Sequence, residues 1–367
     1  MNMNMNMNMN RISLLVLIAF LVSGCSAGTV NKENVKIGIL TPLSGPLAVY
    51  GEEATEILNK TLARDFAEDT NIELVYGDSQ CSGQEAVTAY HRLVDIDGVD
   101  MILGGLCSTE SLAIASLLVD DNMLAVSSVS THPDLNGMSP NFYSFSFSDV
   151  KLAAGMSAVA STSDKVAIIT EQNDWNVGLK DLMETEMGQN VISSEVFEKG
   201  ATDVRNVIAK TLNAKPEVLI LNPNGGQTGA TLIKQLSEYA DQLEGVKIVS
   251  QMVYLAKDIR DSAPVVAEGM TIVDTPFLDS EDFQSFKAGF EIDVTNHTDY
   301  LIASTHDALV NMVNVYRSSE SGEHVQNFGS AKLNGFISKG ESFNGKTFLE
   351  DVQTAFFLVE NGEVIQK

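Results

Sequence analysis

Residues 35–62 read VKIGILTPLSGPLAVYGEEATEILNKTL, and the fold class follows from how this stretch changes period. Val35–Thr41 is a short run rich in β-branched apolar residues, stopped by a Pro-Leu-Ser-Gly-Pro turn at 42–46. Beyond the turn, 51–68 carries Ala54, Ile57, Leu58, Leu62 and Phe66 at helical spacing. The same strand-then-helix cycle repeats downstream. IELVYGD (72–78) reads as a strand, and Ser82-Gly-Gln-Glu85 is a capping-box signature opening a helix through Val87, Tyr90 and Val94. VDMILGG (99–105), SLAIASLLV (111–119) and MLAVSS (123–128) repeat it again. Strands alternating with helices of this length imply a parallel sheet wrapped by helices.

The rhythm restarts after residue 148. KVAIITE (165–171), VISSEVF (191–197), EVLILN (217–222) and VKIVSQ (246–251) read as strands, with helices near 176–187, 202–213 and 229–241 between them. A second open α/β unit is therefore expected. A long helix at 299–317 and a β-rich tail at 354–367 complete the chain. No tandem repeat of 20–50 residues is present, which argues against a solenoid or propeller.

At the other end, residues 1–10 alternate Met and Asn and cannot build a core. Arg11 and the apolar run 12–22 follow, too short for a comfortable membrane span and of signal-peptide length. The run ends in Val22-Ser23-Gly24-Cys25, which resembles a bacterial lipobox, so Cys25 is expected to carry lipid after removal of 1–24. Two cysteines then remain, Cys81 and Cys107. An even pair in an exported chain reads as a disulfide. The alternative is a nucleophilic thiol, which needs a base, and none of the five histidines is patterned with either cysteine.

The whole chain has 367 residues and a formal charge of −26, and no basic stripe interrupts the acidity, so a nucleic-acid partner is not expected. Dinucleotide, phosphate-loop, zinc-protease and nucleophile-elbow motifs are absent from the sequence, no metal cluster is patterned, and no cofactor is implied. Open α/β sheets bind ligands at the carboxyl ends of their strands. Two loops placed there are rich in hydroxyls, Gly104–Thr109 and Ser127–Thr131. Ser108 and Thr109 fall at a helix start, where free backbone N–H groups and the dipole favour a carboxylate, although plain helix capping explains them too. Tyr50 and Trp175 sit at comparable strand-to-helix junctions and could wall an apolar pocket or cover an apolar edge. Asn222–Gly226 reads as a turn. His306-Asp307, inside the long apolar helix, suits core packing better than catalysis.

From about residue 34 onward the chain resembles the periplasmic leucine/isoleucine/valine-binding protein family, the type I solute receptors of ABC transporters. The residues that carry the likeness are 35–62, YGDSQCSGQEAV (76–87) with GGLCSTES (104–111), and AVSSVSTHPDL (125–135). The resemblance implies two open doubly wound parallel-sheet lobes joined by a hinge. The expected organisation is a signal peptide at 1–24, a tether at 25–34, one lobe from 35–148 plus 277–335, and the other from 149–276 plus 336–367. It implies that Ser108 and Thr131 grip a ligand carboxylate, that the Val129 carbonyl meets an ammonium, and that Tyr50 and Trp175 enclose the remainder. A disulfide between Cys81 and Cys107 would steady the ligand loop. The family's second-lobe acid corresponds to the stretch at 249–253, where Gln251 stands and no acid does. Either another acid substitutes, Asp174 being a candidate, or the ligand lacks an ammonium. The expected protein is a monomeric, non-enzymatic, lipid-anchored clamp facing the periplasm or cell exterior. It would serve an ABC permease with an amino acid or related small molecule; a sensing clamp is the alternative, and an exported hydrolase a remoter one.

Overall fold

The computed structural model describes residues 34–290 and 299–367; the lipobox and Cys25 lie outside them. Twelve strands are assigned among the described residues, in two sheets. β1 (Val35–Thr41), β2 (Ile72–Asp78), β3 (Met101–Gly104), β4 (Ala125–Ser127) and β5 (Phe142–Ser144) form an all-parallel sheet in the order β2-β1-β3-β4-β5. The second sheet contains β6 (Val166–Glu171), β7 (Val191–Phe197), β8 (Val218–Asn222), β9 (Lys247–Gln251), β10 (Thr271–Asp274), β11 (Ala355–Glu360) and β12 (Glu363–Gln366). Its order is β12-β11-β10-β9-β8-β6-β7, parallel except at the antiparallel β10–β11 and β11–β12 pairs.

The two apolar patterns explain the layers. β6 and β8 are buried at every residue, as expected of strands covered on both faces by helices. In the first lobe, helix Asp299–Ser318 lays Ala308, Leu309, Met312 and Val313 against Val35, Ile37 and Ile39 of β1. The chain therefore returns to the first lobe after completing most of the second. It crosses between lobes near 145–149, again after β10, and a third time before β11. The third crossing corrects the expected boundary at 335/336. Phe343 and Leu349 pack in the first lobe's core, and Phe348 bridges to Ser144 at that sheet's edge, so the second lobe regains the chain only near 350. Aromatic contacts explain the attachment: Phe343 meets both Tyr143 and Phe145, at 4.9 and 5.4 Å between ring centroids.

Three local expectations change. Ser82 does precede helix Gly83–His91, but its side chain makes no capping bond. Helix Ala48–Asp65 begins earlier than the apolar spacing implied, so Tyr50 belongs to its first turn. Trp175 likewise lies inside helix Asp174–Met187, whose cap is Asn173 accepting from Asn176 N–H at 2.9 Å. No helix among the described residues is long and apolar enough to cross a membrane.

Candidate functional site

The carboxyl ends of β1, β3 and β4 face those of β6, β8 and β9 across a cleft. Within it lies a cavity enclosing about 970 Å³ of empty space, its mouth included. Tyr50, Ser108, Val129, Thr131 and Trp175 all line it. Residues separated by as much as 125 positions thus converge because both sheets present the same end to the cleft.

The hydroxyl-rich loops divide into two roles. Ser111, Ser127 and Ser130 are fully buried, and all three hydroxyls lie within hydrogen-bonding distance of the Gly105 carbonyl, at 3.2, 2.7 and 2.9 Å, with Ser111 and Ser130 also bonded to each other at 2.7 Å. They fasten the loop at 104–109 and do not line the cavity. Ser108 does. Its oxygen accepts from the backbone N–H of Thr131 and of His132, both at 3.3 Å. A hydroxyl has two acceptor sites and one proton; with the acceptor sites taken, the proton remains for an acceptor in the cavity. Ser108 is also the first residue of helix Ser108–Ala115, so the free N–H groups of that turn point the same way.

Behind this loop sits Glu110, a residue the sequence reading passed over. It accepts from Cys107 N–H at 2.9 Å and from the Ser79 hydroxyl. Backbone N–H groups of Leu106 and Cys81 also reach it, while burial pushes its carboxyl up to about 7. It braces both sides of the Cys81–Cys107 disulfide, which joins residues 26 apart. Among the described residues, Cys81, Cys107 and Glu110 are the three-ligand grouping that metal geometry would allow, but both sulfurs are committed to the disulfide. The same bond removes the nucleophilic thiol that the sequence left open.

Two further acids line the cavity, Asp149 and Asp274. Both are buried, and desolvation pushes each carboxyl up to about 7. Asp149 Oδ1 accepts from the Trp175 indole N–H at 3.2 Å, and the Thr131 hydroxyl bonds to the same carboxyl. Asp174 is exposed at the helix start and does not line the cavity. No lysine, arginine or histidine lines it among the described residues.

Gln251 is the misplaced site residue. It is fully buried and outside the lining; its amide donates to the Pro223 carbonyl and accepts from Val253 N–H, both at 2.9 Å. It shapes the turns carrying Asn224 and Val253, which do line the cavity. His306, too, is structural: its two nitrogens sit 2.9 Å from Asp307 Oδ1 and from Asp65 Oδ2 in the first-lobe core.

The lobes touch around the rim. Lys199 Nζ donates to the Cys81 carbonyl at 3.0 Å. Gly178 packs under His132, and Gly225 under the Tyr50 hydroxyl, so closely that a Cβ would lie 2.5 Å from His132 Nε2 at the first and 1.7 Å from the Tyr50 hydroxyl oxygen at the second. The clamp is closed.

A family model described as periplasmic binding protein matches residues 34–310. Among curated relatives, an amino acid binding protein of Pseudomonas aeruginosa is 24% identical over 242 residues, covering 62% of this chain and 63% of its own. The Leu/Ile/Val-binding protein of Escherichia coli K12 is 21% identical, covering 52% of this chain and 56% of its own. The chain thus spans less than two thirds of the length of these relatives. Solved structures agree over a longer stretch. A leucine binding protein from Thermotoga maritima has a TM-score of 0.73 at 19% identity, covering 91% of this chain and 97% of its own. A Rhodopseudomonas palustris solute binding protein in complex with 4-hydroxybenzoate has a TM-score of 0.77 at 17% identity, covering 91% and 95%.

Proposed function

The chain belongs to the periplasmic binding protein family, and from that premise we propose that it is the extracytoplasmic substrate-binding lipoprotein of an ABC importer. It captures a branched-chain amino acid or a related small carboxylate or amide by closing two type I lobes on it, and it is not an enzyme. The observation that carries this reading is the Ser108 hydroxyl. Its acceptor sites are occupied, which leaves its one proton to donate, the residue lines a cavity between lobes, and a helix N-terminus lies beside it. Such a site holds an anion locally inside a net-acidic protein. Thr131, Val129, Tyr50 and Trp175 complete the ligand shell. Ligand that bridges both lobes favours the closed state and shifts the open–closed equilibrium toward it. The apolar run at 12–22 and Cys25 support export and lipid anchoring at the periplasmic or outer face. The acidic surface supports a soluble monomer that meets the permease at the membrane.

The test is calorimetry on the Ser108→Ala, Thr131→Ala double variant. A hydrogen bond to a charged group contributes about 1.5–3 kcal/mol, so affinity for a cognate carboxylate should fall at least about tenfold. Normal affinity in the double variant would remove the carboxylate site from the reading.

A further inference from the structure

Thr131 lines the cavity and is tied at two points to the first interlobe crossing. Its carbonyl accepts from the backbone N–H of Asp149 at 2.8 Å, and its hydroxyl bonds the Asp149 carboxyl. Asp149 is fully buried at the head of helix Asp149–Ala160, and its Oδ1 also accepts from the Trp175 indole of the second lobe at 3.2 Å. Its Oδ2 has no hydrogen-bond partner. Ionisation in such a place is costly, because one anionic oxygen is then buried and unsatisfied. Burial pushes the carboxyl up to about 7, against the Thr131 and Trp175 donors that hold it down.

The protonation of Asp149 decides what Thr131 can do. A threonine hydroxyl has one proton and two acceptor sites. Beside an ionised Asp149 that proton is committed to the carboxylate, and Thr131 shows only lone pairs to a ligand anion. Beside a protonated Asp149 the direction reverses. The acid O–H donates to the Thr131 oxygen, and the Thr131 proton turns to the cavity. We infer that a carboxylate ligand is bound together with one proton from solvent, which settles on Asp149 and frees the Thr131 hydroxyl to donate to the ligand. Asp149 is thus a positioning residue that acts through Thr131. The inference rests on the small-carboxylate reading above and states what accompanies that ligand. Charge points the same way: Asp149 and Asp274 line the cavity and no lysine, arginine or histidine does among the described residues, so a carboxylate without the proton would be buried with no countercharge.

Opening the clamp parts Trp175 from Asp149 and admits water, which returns the carboxyl toward its ordinary range. The closed, liganded form therefore holds a proton that the open form lacks, so affinity is full at low pH and is lost as pH rises through about 7. The neighbouring titratable groups have partners or face solvent. Asp274 is bonded by Thr275, Asp174 is exposed, and the Tyr300 hydroxyl donates to the Phe145 carbonyl at 2.7 Å. His132 Nδ1 accepts from Asp134 N–H at 3.2 Å, and Lys151 on the same helix as Asp149 donates to the Val352 carbonyl at 3.0 Å. No charge of theirs contributes to the Asp149 shift, which comes from burial, Thr131 and Trp175.

The experiment uses the full chain, with L-leucine, 4-methylpentanoate, benzoate and 4-hydroxybenzoate as probes. Calorimetry of the tightest-binding probe in phosphate and in Tris, buffers of different ionisation enthalpy, counts the protons exchanged. Near neutral pH the expected uptake is roughly half to one proton per ligand, and affinity should be at least about tenfold lower at about pH 8.5 than at about pH 6. Asp149→Asn carries a permanent donor for Thr131 and keeps an acceptor for Trp175. It should take up no proton, lose the pH dependence, and bind at least about tenfold more tightly than wild type at about pH 8.5. A residue that merely supported the fold would not gain affinity on substitution. Melting of the ligand-free variant reports folding, and the wild-type proton count decides the matter even where the variant fails to fold. Binding with no proton uptake and no pH dependence overturns the inference and leaves the carboxylate clamp standing. Uptake undiminished in folded Asp149→Asn, or abolished by His132→Gln in its stead, overturns the assignment to Asp149. Binding of none of the probes overturns the inference together with the reading it rests on.

Discussion

Gly225→Ala is expected to weaken ligand affinity about a hundredfold, roughly 2.7 kcal/mol, while the empty protein melts nearly as before. A Cβ at 225 would lie 1.7 Å from the Tyr50 hydroxyl, 2.7 Å from Cζ and 3.1 Å from Cε2. Real atoms do not approach so closely, so either the ring or a lobe must move. Tyr50 sits in the first turn of an 18-residue helix of the first lobe, and Gly225 lies in the turn between β8 and helix Gln227–Leu236 of the second. The contact exists only when the lobes are closed. Gly225 itself is not at positive φ, unlike Gly226 at 64°, so alanine adds no backbone strain. The penalty therefore falls on the closed state alone and reads out as lost affinity. Adding Tyr50→Ala removes the obstacle, and the double variant should bind as Tyr50→Ala does by itself. Such non-additivity is the signature of direct contact. Unaltered affinity in Gly225→Ala would show that ligand binding does not require this closure.

Replacing Cys81 and Cys107 together with serine should cost about 3 kcal/mol of first-lobe stability in denaturant unfolding, the chain-entropy value for a loop of this length. The cross-link joins residues 26 apart. It also abuts the cavity, since both cysteines line it, and the Cys81 carbonyl receives the Lys199 ammonium from the opposite lobe. Affinity should drop along with stability, because Ser108 follows Cys107 directly and Glu110 braces the same loop. A double-serine variant as stable as the parent would mean that Glu110 and the serine bonds to Gly105 already fix the loop.

The seven-residue strands are legible to their ends in the sequence, whereas the short β3 and β4 are legible only inside longer apolar runs. β1, β2 and β7 begin and end where their β-branched runs do, because strands of seven residues outlast the ambiguity of a short apolar run. The two strands passed over are β5 and β10, of three and four residues. Alternating Phe142, Ser144 and Ser146 with Tyr143, Phe145 and Phe147, and the run Thr271-Ile272-Val273, were the available signals. These short strands lead to Asp149 and Asp274 at the cleft. The family resemblance points instead to an acid at 249–253, where the buried and already bonded Gln251 stands. Ser108, Thr131, Val129, Tyr50 and Trp175 were identifiable through the family resemblance and converge on one cavity. Spacing alone could not separate Ser108, which faces the cavity, from Ser111, Ser127 and Ser130, which bind Gly105. That distinction depends on which way each loop turns, a property of the packed lobe.

One small ligand is expected to be held between the lobes, against both of them. Trp175 is the sole tryptophan of the chain; it lines the cavity from the second lobe and donates to Asp149. Fluorescence titration of the full chain with an amino acid that raises its melting temperature tests the claim most directly. The expected result is a saturable change in Trp175 emission, with one ligand per chain and a dissociation constant equal to the calorimetric one. A ligand that stabilises the protein and saturates by calorimetry while leaving Trp175 emission unaltered would contradict it.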